Sequence, residues 1–260
     1  MSELSATERT RHRRLREKGR TDRAALYEVL RAGFVCHLGV ISEGVPMVVP
    51  TVYGFDASHL YVHGSSASRS LTGRESSGAR AGSGSPDGDA DARPGPSAGP
   101  SVVCVTVTHV DGLVLARSVF EHGVNYRSAM VYGVPRRLEG EEKLAALRIL
   151  TEHSAPGQWD YARRPSRKEL AATTILAISL AEASVKVSSG PPDDGEGPDA
   201  ALGLWAGVLP LATTWLAPIP DPLLPEGATP PITSAGARAR GCPDLRLGAR
   251  PSVYRTGPPG

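Results

Sequence analysis

The stretch NYRSAMVYG, Asn125 to Gly133, sets the architecture. Side chains alternate across a strand, so Tyr126, Ser128, Met130 and Tyr132 share one face. Arg127, Ala129 and Val131 share the other, and a permanent cation therefore sits on an otherwise compact, apolar face. Arginine is not neutralised by burial, so an inward arginine requires an anion opposite it. A carboxylate of the chain itself and the phosphate of a bound cofactor both satisfy that requirement.

The neighbouring segments predict more strands. FVCHLGVI (34–41), MVVPTVYGF (47–55) and LYVHGS (60–65) are separated by the short turns SEGVP and DASH, which reads as an antiparallel meander. Further on, SVVCVTVTHV (101–110), LVLARSVF (113–120) and NYRSAMVYGVPRRLE (125–139) read as three more strands. TTILAISL (173–180) reads as a final long one continuing towards ASVKV. Helices are few. TDRAALYEVLRAG (21–33) has Thr21 or Asp22 as cap, an apolar stripe of Leu26, Val29 and Leu30, and Gly33 as stop. GEEKLAALRILTEH (140–153) is a second helix, and SRKEL opens a third with a capping box of Ser166 and Glu169. About six antiparallel strands with peripheral helices predict a mainly β fold, a small closed antiparallel barrel rather than a parallel α/β sheet.

Residues 72–100 and the tail from about Glu226 hold much Gly, Pro and Ser and little large apolar surface, too little to offset ordering entropy. The expected organisation is a basic arm at 1–21, a barrel domain at 22–219 with a disordered insertion at 72–100, and a disordered tail at 220–260. With 29 basic and 27 acidic residues, no bulk polyanion partner is implied. RTRHRRLREKGR, Arg9 to Arg20, reads as a solvated arm; it lacks the interleaved aromatics of a nucleic-acid contact. The three cysteines are widely spaced, which points to a reducing compartment, and no apolar run reaches the ~20 residues of a bilayer span. A cytoplasmic protein with no membrane partner is expected.

Nucleotide-binding P-loop, nucleophile-elbow and zinc-protease motifs are absent, and the seven histidines have no metal-ligand spacing. HGSSASR, His63 to Arg69, joins glycine, hydroxyls and arginine in the manner of an anion cradle.

The order of VPMVVPTVYGF, LYVHGSSASRS, NYRSAMVYG and WAGVLP resembles the pyridoxamine phosphate oxidase-like family of flavin-binding split barrels, over about Arg9 to Pro220. Within it the chain is most similar to the branch that includes the nitroimidazole-resistance (Nim-type) proteins. The resemblance implies a homodimer holding FMN at the subunit interface. It implies phosphate contacts from Gly64, Ser65, Ser66, Arg69, Arg127 and Ser128, with Ser70 replacing the lysine of the family's Arg-Lys pair. It runs Val48, Val49, Pro50 and Thr51 along the isoalloxazine edge and brings Trp205 to the flavin from the second subunit. His63 is the candidate catalytic residue, contacting flavin or substrate, or else simply closes a strand. WAGVLPLATTWL continues apolar where true pyridoxamine phosphate oxidases grip the vitamin phosphate, so that substrate is not expected. The expected activity is hydride transfer, from a reduced nicotinamide or a deazaflavin, through flavin to a small organic acceptor. The alternatives are a nitroimidazole reductase-like activity and a non-catalytic protein that binds flavin or haem.

Overall fold

The computed structural model describes residues 3–42, 44–65, 101–216, 218–225 and 227. In chain order the elements are β1 (Gly19–Arg20), α1 (Arg23–Arg31), β2 (Val35–Ser42), β3 (Val45–Phe55), β4 (His59–Ser65), β5 (Val103–Leu115) and β6 (Gly123–Gly133). There follow β7 (Arg136–Arg137), α2 (Gly140–Ser154), α3 (Gln158–Tyr161), α4 (Arg167–Ala172), β8 (Thr173–Ser179), β9 (Glu182–Ser188) and β10 (Gly207–Pro210).

All strand pairs are antiparallel, in the order β1-β9-β6-β5-β2-β3-β4-β8-β7, with β10 pairing the second half of β5. The sheet curls. The consecutive strands β8 and β9 lie near its two ends, and only Leu180 and Ala181 carry the chain across the seam. Gly133 of β6 meets β8 there: a Cβ on it would stand 3.1 Å from Ile178. This is a mainly β, rolled half-barrel.

The inner face holds the core. Cys36, Leu38, Tyr53, Leu60, Val62, Val105, Val131 and Val185 are all at most 1% exposed. α1 closes this face through Leu26, Val29 and Leu30, and Asp22 caps it by accepting from Ala25 N at 2.8 Å. Nine residues are too few for a stable free helix in water. Three buried aliphatic side chains, at about 1.5–3 kcal/mol each, hold it to the sheet instead.

A second cluster lies on the opposite side, where α2 packs over β3, β4 and β8 through Leu138, Ala146, Leu150, Ile175 and Ala177. Gly54 permits that approach, since a Cβ there would stand 2.8 Å from Leu150 Cα. The capping box of Ser166 and Glu169 is present at the start of α4.

Three sequence expectations need correction. The runs 101–110 and 113–120 are not two strands: β5 passes through Asp111 and Gly112 with a bulge between Val110 and Gly112. TTILAISL does not continue into ASVKV; the chain changes sheet edge at Leu180 and Ala181. The basic arm is also docked. Arg9 and Thr7 bind Glu182, His12 bonds Val185 O at 3.0 Å, and β1 pairs β9. The segment 72–100 and residues 228–260 of the tail lie outside the described residues.

Candidate functional site

The face of the sheet opposite the core divides in two. One half lies under α2. The other half, on β9, β6, β5, β2 and β3, carries Lys186 and Ser184, then Ser128 and Met130, then Thr108 and Thr106, then Val35, His37 and Gly39, and finally Val52, Pro50 and Val48. Its floor is small or hydroxyl-bearing at Gly39, Thr106 and Ser128. Its rim is apolar: Val48 is 65% exposed and Ile41 57%.

The alternation places Arg127 with Ala129 and Val131, as expected, but it does not need an external anion. The bulge in β5 turns Asp111 onto the guanidinium: Nε donates to Oδ2 at 2.9 Å and Nη2 to Oδ1 at 2.8 Å. That hydrogen-bonded pair holds the Asp111 carboxyl below its ordinary range and raises Arg127 further. Arg127 and Ser128 therefore point to opposite faces and do not form one phosphate cradle. Of the two anions that an inward arginine allows, the structure supplies the chain's own carboxylate, Asp111, in place of a bound phosphate.

The remaining expected site residues distribute as follows. Val48 and Pro50 are on the open face; Val49 and Thr51 turn to the core side with Leu38 and Cys36. His63 shares the Tyr61 face of β4, at the border between the covered and open halves. Its Nδ1 is buried and has no hydrogen-bond partner among the described residues. Burial pushes its pKa down, so the neutral imidazole is favoured. Gly64 and Ser65 end β4 opposite Thr174 and Thr173. Ser66 and Arg69 lie outside the described residues. Trp205 precedes β10, is 65% exposed, and rests its ring over Gly207.

His37 escaped selection from sequence because a lone histidine in a strand carries no spacing signal. Only the register shows it beside Pro50 and Thr106 on the open face. Among the described residues no helix is long and apolar enough to cross a membrane.

A rolled antiparallel half-barrel with its inner face closed by α1 and part of its outer face left open is the architecture of a split barrel. The chain belongs to the pyridoxamine 5'-phosphate oxidase family, which it matches over residues 22–93 and 80–187. It resembles the flavocytochrome Anf3 from Azotobacter vinelandii at 32% identity, covering 93% of this chain and 98% of that one, with a TM-score of 0.74. It resembles a FAD and haem binding protein from Mycobacterium smegmatis at 31% identity, covering 85% and 97%, with a TM-score of 0.71. Comparison with curated proteins returns no match.

Proposed function

We propose that the open sheet face binds a flavin nucleotide and that the chain is a flavin-dependent redox protein with haem as a second group. The observation that carries this reading is the open face itself: a small, hydroxyl-bearing floor at Gly39, Thr106 and Ser128, with an apolar rim at Val48 and Pro50. Such a surface accepts a planar ring and supplies polar contacts at its edge. The names of the two proteins at 32% and 31% identity support the same pair of ligands.

The residues present fit these groups. His63 offers a buried imidazole nitrogen without a partner among the described residues, its pKa pushed down by burial, and buried polar groups of that kind are ordinarily satisfied. Its neutral imidazole would accept a hydrogen bond from a ring N–H or would hold haem iron. Val48 and Pro50 would exclude water from the ring edge, and Ser128 and Thr106 would orient polar substituents. Gly64 and Ser65, with Ser66 and Arg69 beyond them in the sequence, remain the proposed contacts; Arg127 does not, because Asp111 occupies it. When bound, flavin supplies hydride and single-electron transfer to an acceptor.

The proposal includes a homodimer. Leu204, Trp205, Leu209, Leu211, Trp215 and Leu216 are all about half exposed or more, in one continuous segment. An apolar surface of this kind normally meets a partner, and Trp205 from a second copy would complete the site.

FMN and FAD are distinguished by the mass of the flavin extracted from the native protein. The proposal is tested by adding FAD, FMN and ferric haem to the purified chain and following absorption. Saturable spectral change with a flavin is expected, and reduction of the bound flavin by a nicotinamide would separate an oxidoreductase from a passive carrier. Failure to bind any of the three would refute the proposal.

A further inference from the structure

We propose that Lys186, with Ser128 and Thr108, forms an oxyanion subsite on the open face, taking a phosphate or carboxylate group of the bound ligand. This rests on the reading of that face given above and names the cation that it lacks once Arg127 is committed to Asp111.

The strands bring few cations to the sheet, and their partners differ. Arg127 is held by Asp111, Arg136 by Glu142 and Arg137 by Glu139. Arg20 donates to the carbonyls of Glu17 and Gly19. Lys186 has no hydrogen-bond or carboxylate partner among the described residues. The acidic residue on its own face of β9, Glu182, is already neutralised by Arg9 and bonded by Thr7.

Register places the three residues in one line across β9, β6 and β5: Lys186 pairs with Ser128, and Ser128 pairs with Thr108. Lys186 is half-buried, flanked along β9 by Ser184 and Ser188. His12 walls the β1 end of the line, since a Cβ on Gly19, the β1 partner of Lys186, would stand 2.5 Å from His12 Cδ2. Thr106 and His37 lie one row further along the same face. An ammonium beside two hydroxyls, partly withdrawn from water, suits a phosphate or carboxylate oxygen and offers nothing to a cation. A flavin phosphate and a haem propionate share that chemistry.

The test compares the wild-type protein with Lys186→Met and Lys186→Arg by titrating FAD, FMN and ferric haem separately. Losing one charge-assisted contact should weaken the ligand docked there about 10- to 100-fold. The salt dependence of its binding should flatten, and Lys186→Arg should restore affinity to within a few-fold. Weakening of FAD and FMN alone assigns the subsite to phosphate, and weakening of haem alone to propionate; both outcomes support it. Should Lys186→Met fail to fold, Lys186→Gln and the Ser128→Ala, Thr108→Val pair carry the same expectation. Wild-type affinity for all three ligands in a folded Lys186 variant would overturn the subsite while leaving the flavin reading intact. A wild-type protein that binds none of them overturns both.

Discussion

Cutting the Arg127–Asp111 pair separates a structural arginine from a ligand-binding one. The perturbation is a double-mutant cycle of Asp111→Asn, Arg127→Met and the double variant. Exposed ion pairs are worth up to about 1 kcal/mol, whereas breaking a fully buried pair costs about 3–5 kcal/mol. Here the side chains are 36% and 37% exposed and the contact is bidentate. Each single variant should therefore lose about 1–2 kcal/mol, with about 1 kcal/mol of coupling between them after solvent screening. Urea denaturation monitored by circular dichroism measures both quantities.

The pH dependence has a definite sign. Asp111 is held below its unfolded value, chiefly by the hydrogen bond from Arg127, with His109 adding to the effect and Glu28 facing Arg127. Its contribution is therefore present above the ordinary carboxylate range of about 4 and lost as pH falls through the folded value. The gap between wild type and Asp111→Asn should close below about pH 4. Flavin and haem affinities should be unchanged in all three variants. Negligible coupling, or loss of flavin from Arg127→Met at undiminished stability, would refute this assignment and return Arg127 to the ligand.

Other outcomes follow from single positions. Gly54→Ala should destabilise the protein by about 1–3 kcal/mol, seen as a lowered Tm, because the added methyl meets the α2 backbone at Leu150 and rigid backbone cannot yield cheaply. Asp22→Ala should cost about 1 kcal/mol by freeing the N–H of Ala25, with Asp22→Ser restoring most of it. Burial pushes the Cys36 thiol up to about 12, so at pH 8 it should resist thiol reagents in the native protein and react once urea unfolds it. Rapid native labelling of Cys36 would show that β2 is not sealed by α1.

The fold was legible where one face is buried. The valines at 103, 105 and 107, and the pattern around Arg127, identify strands and their inward faces from period alone. Asp-Gly at 111–112 is a strong turn signal, yet here it makes a bulge, because β6 pairs continuously on both sides of it. That bulge is also what aims Asp111 at Arg127, so the partner could not be read from residues sixteen positions apart. The change of edge at Leu180–Ala181 was illegible for a different reason. It contains no Gly, Pro or Asn, and it is fixed by burial of Leu180 and by its N–H bonding Ser58 O at 2.8 Å. The open face was the least legible part. Lys186, Ser128 and His37 come from three separated strands, and only register unites them with Thr108 and Thr106.

Ligand extraction is the most direct test. The purified native protein, denatured and analysed by mass spectrometry and absorption, should release a flavin close to one per chain. A chain that releases none, and that takes up neither FAD nor FMN when they are supplied in excess, contradicts the reading of the open face as a flavin site.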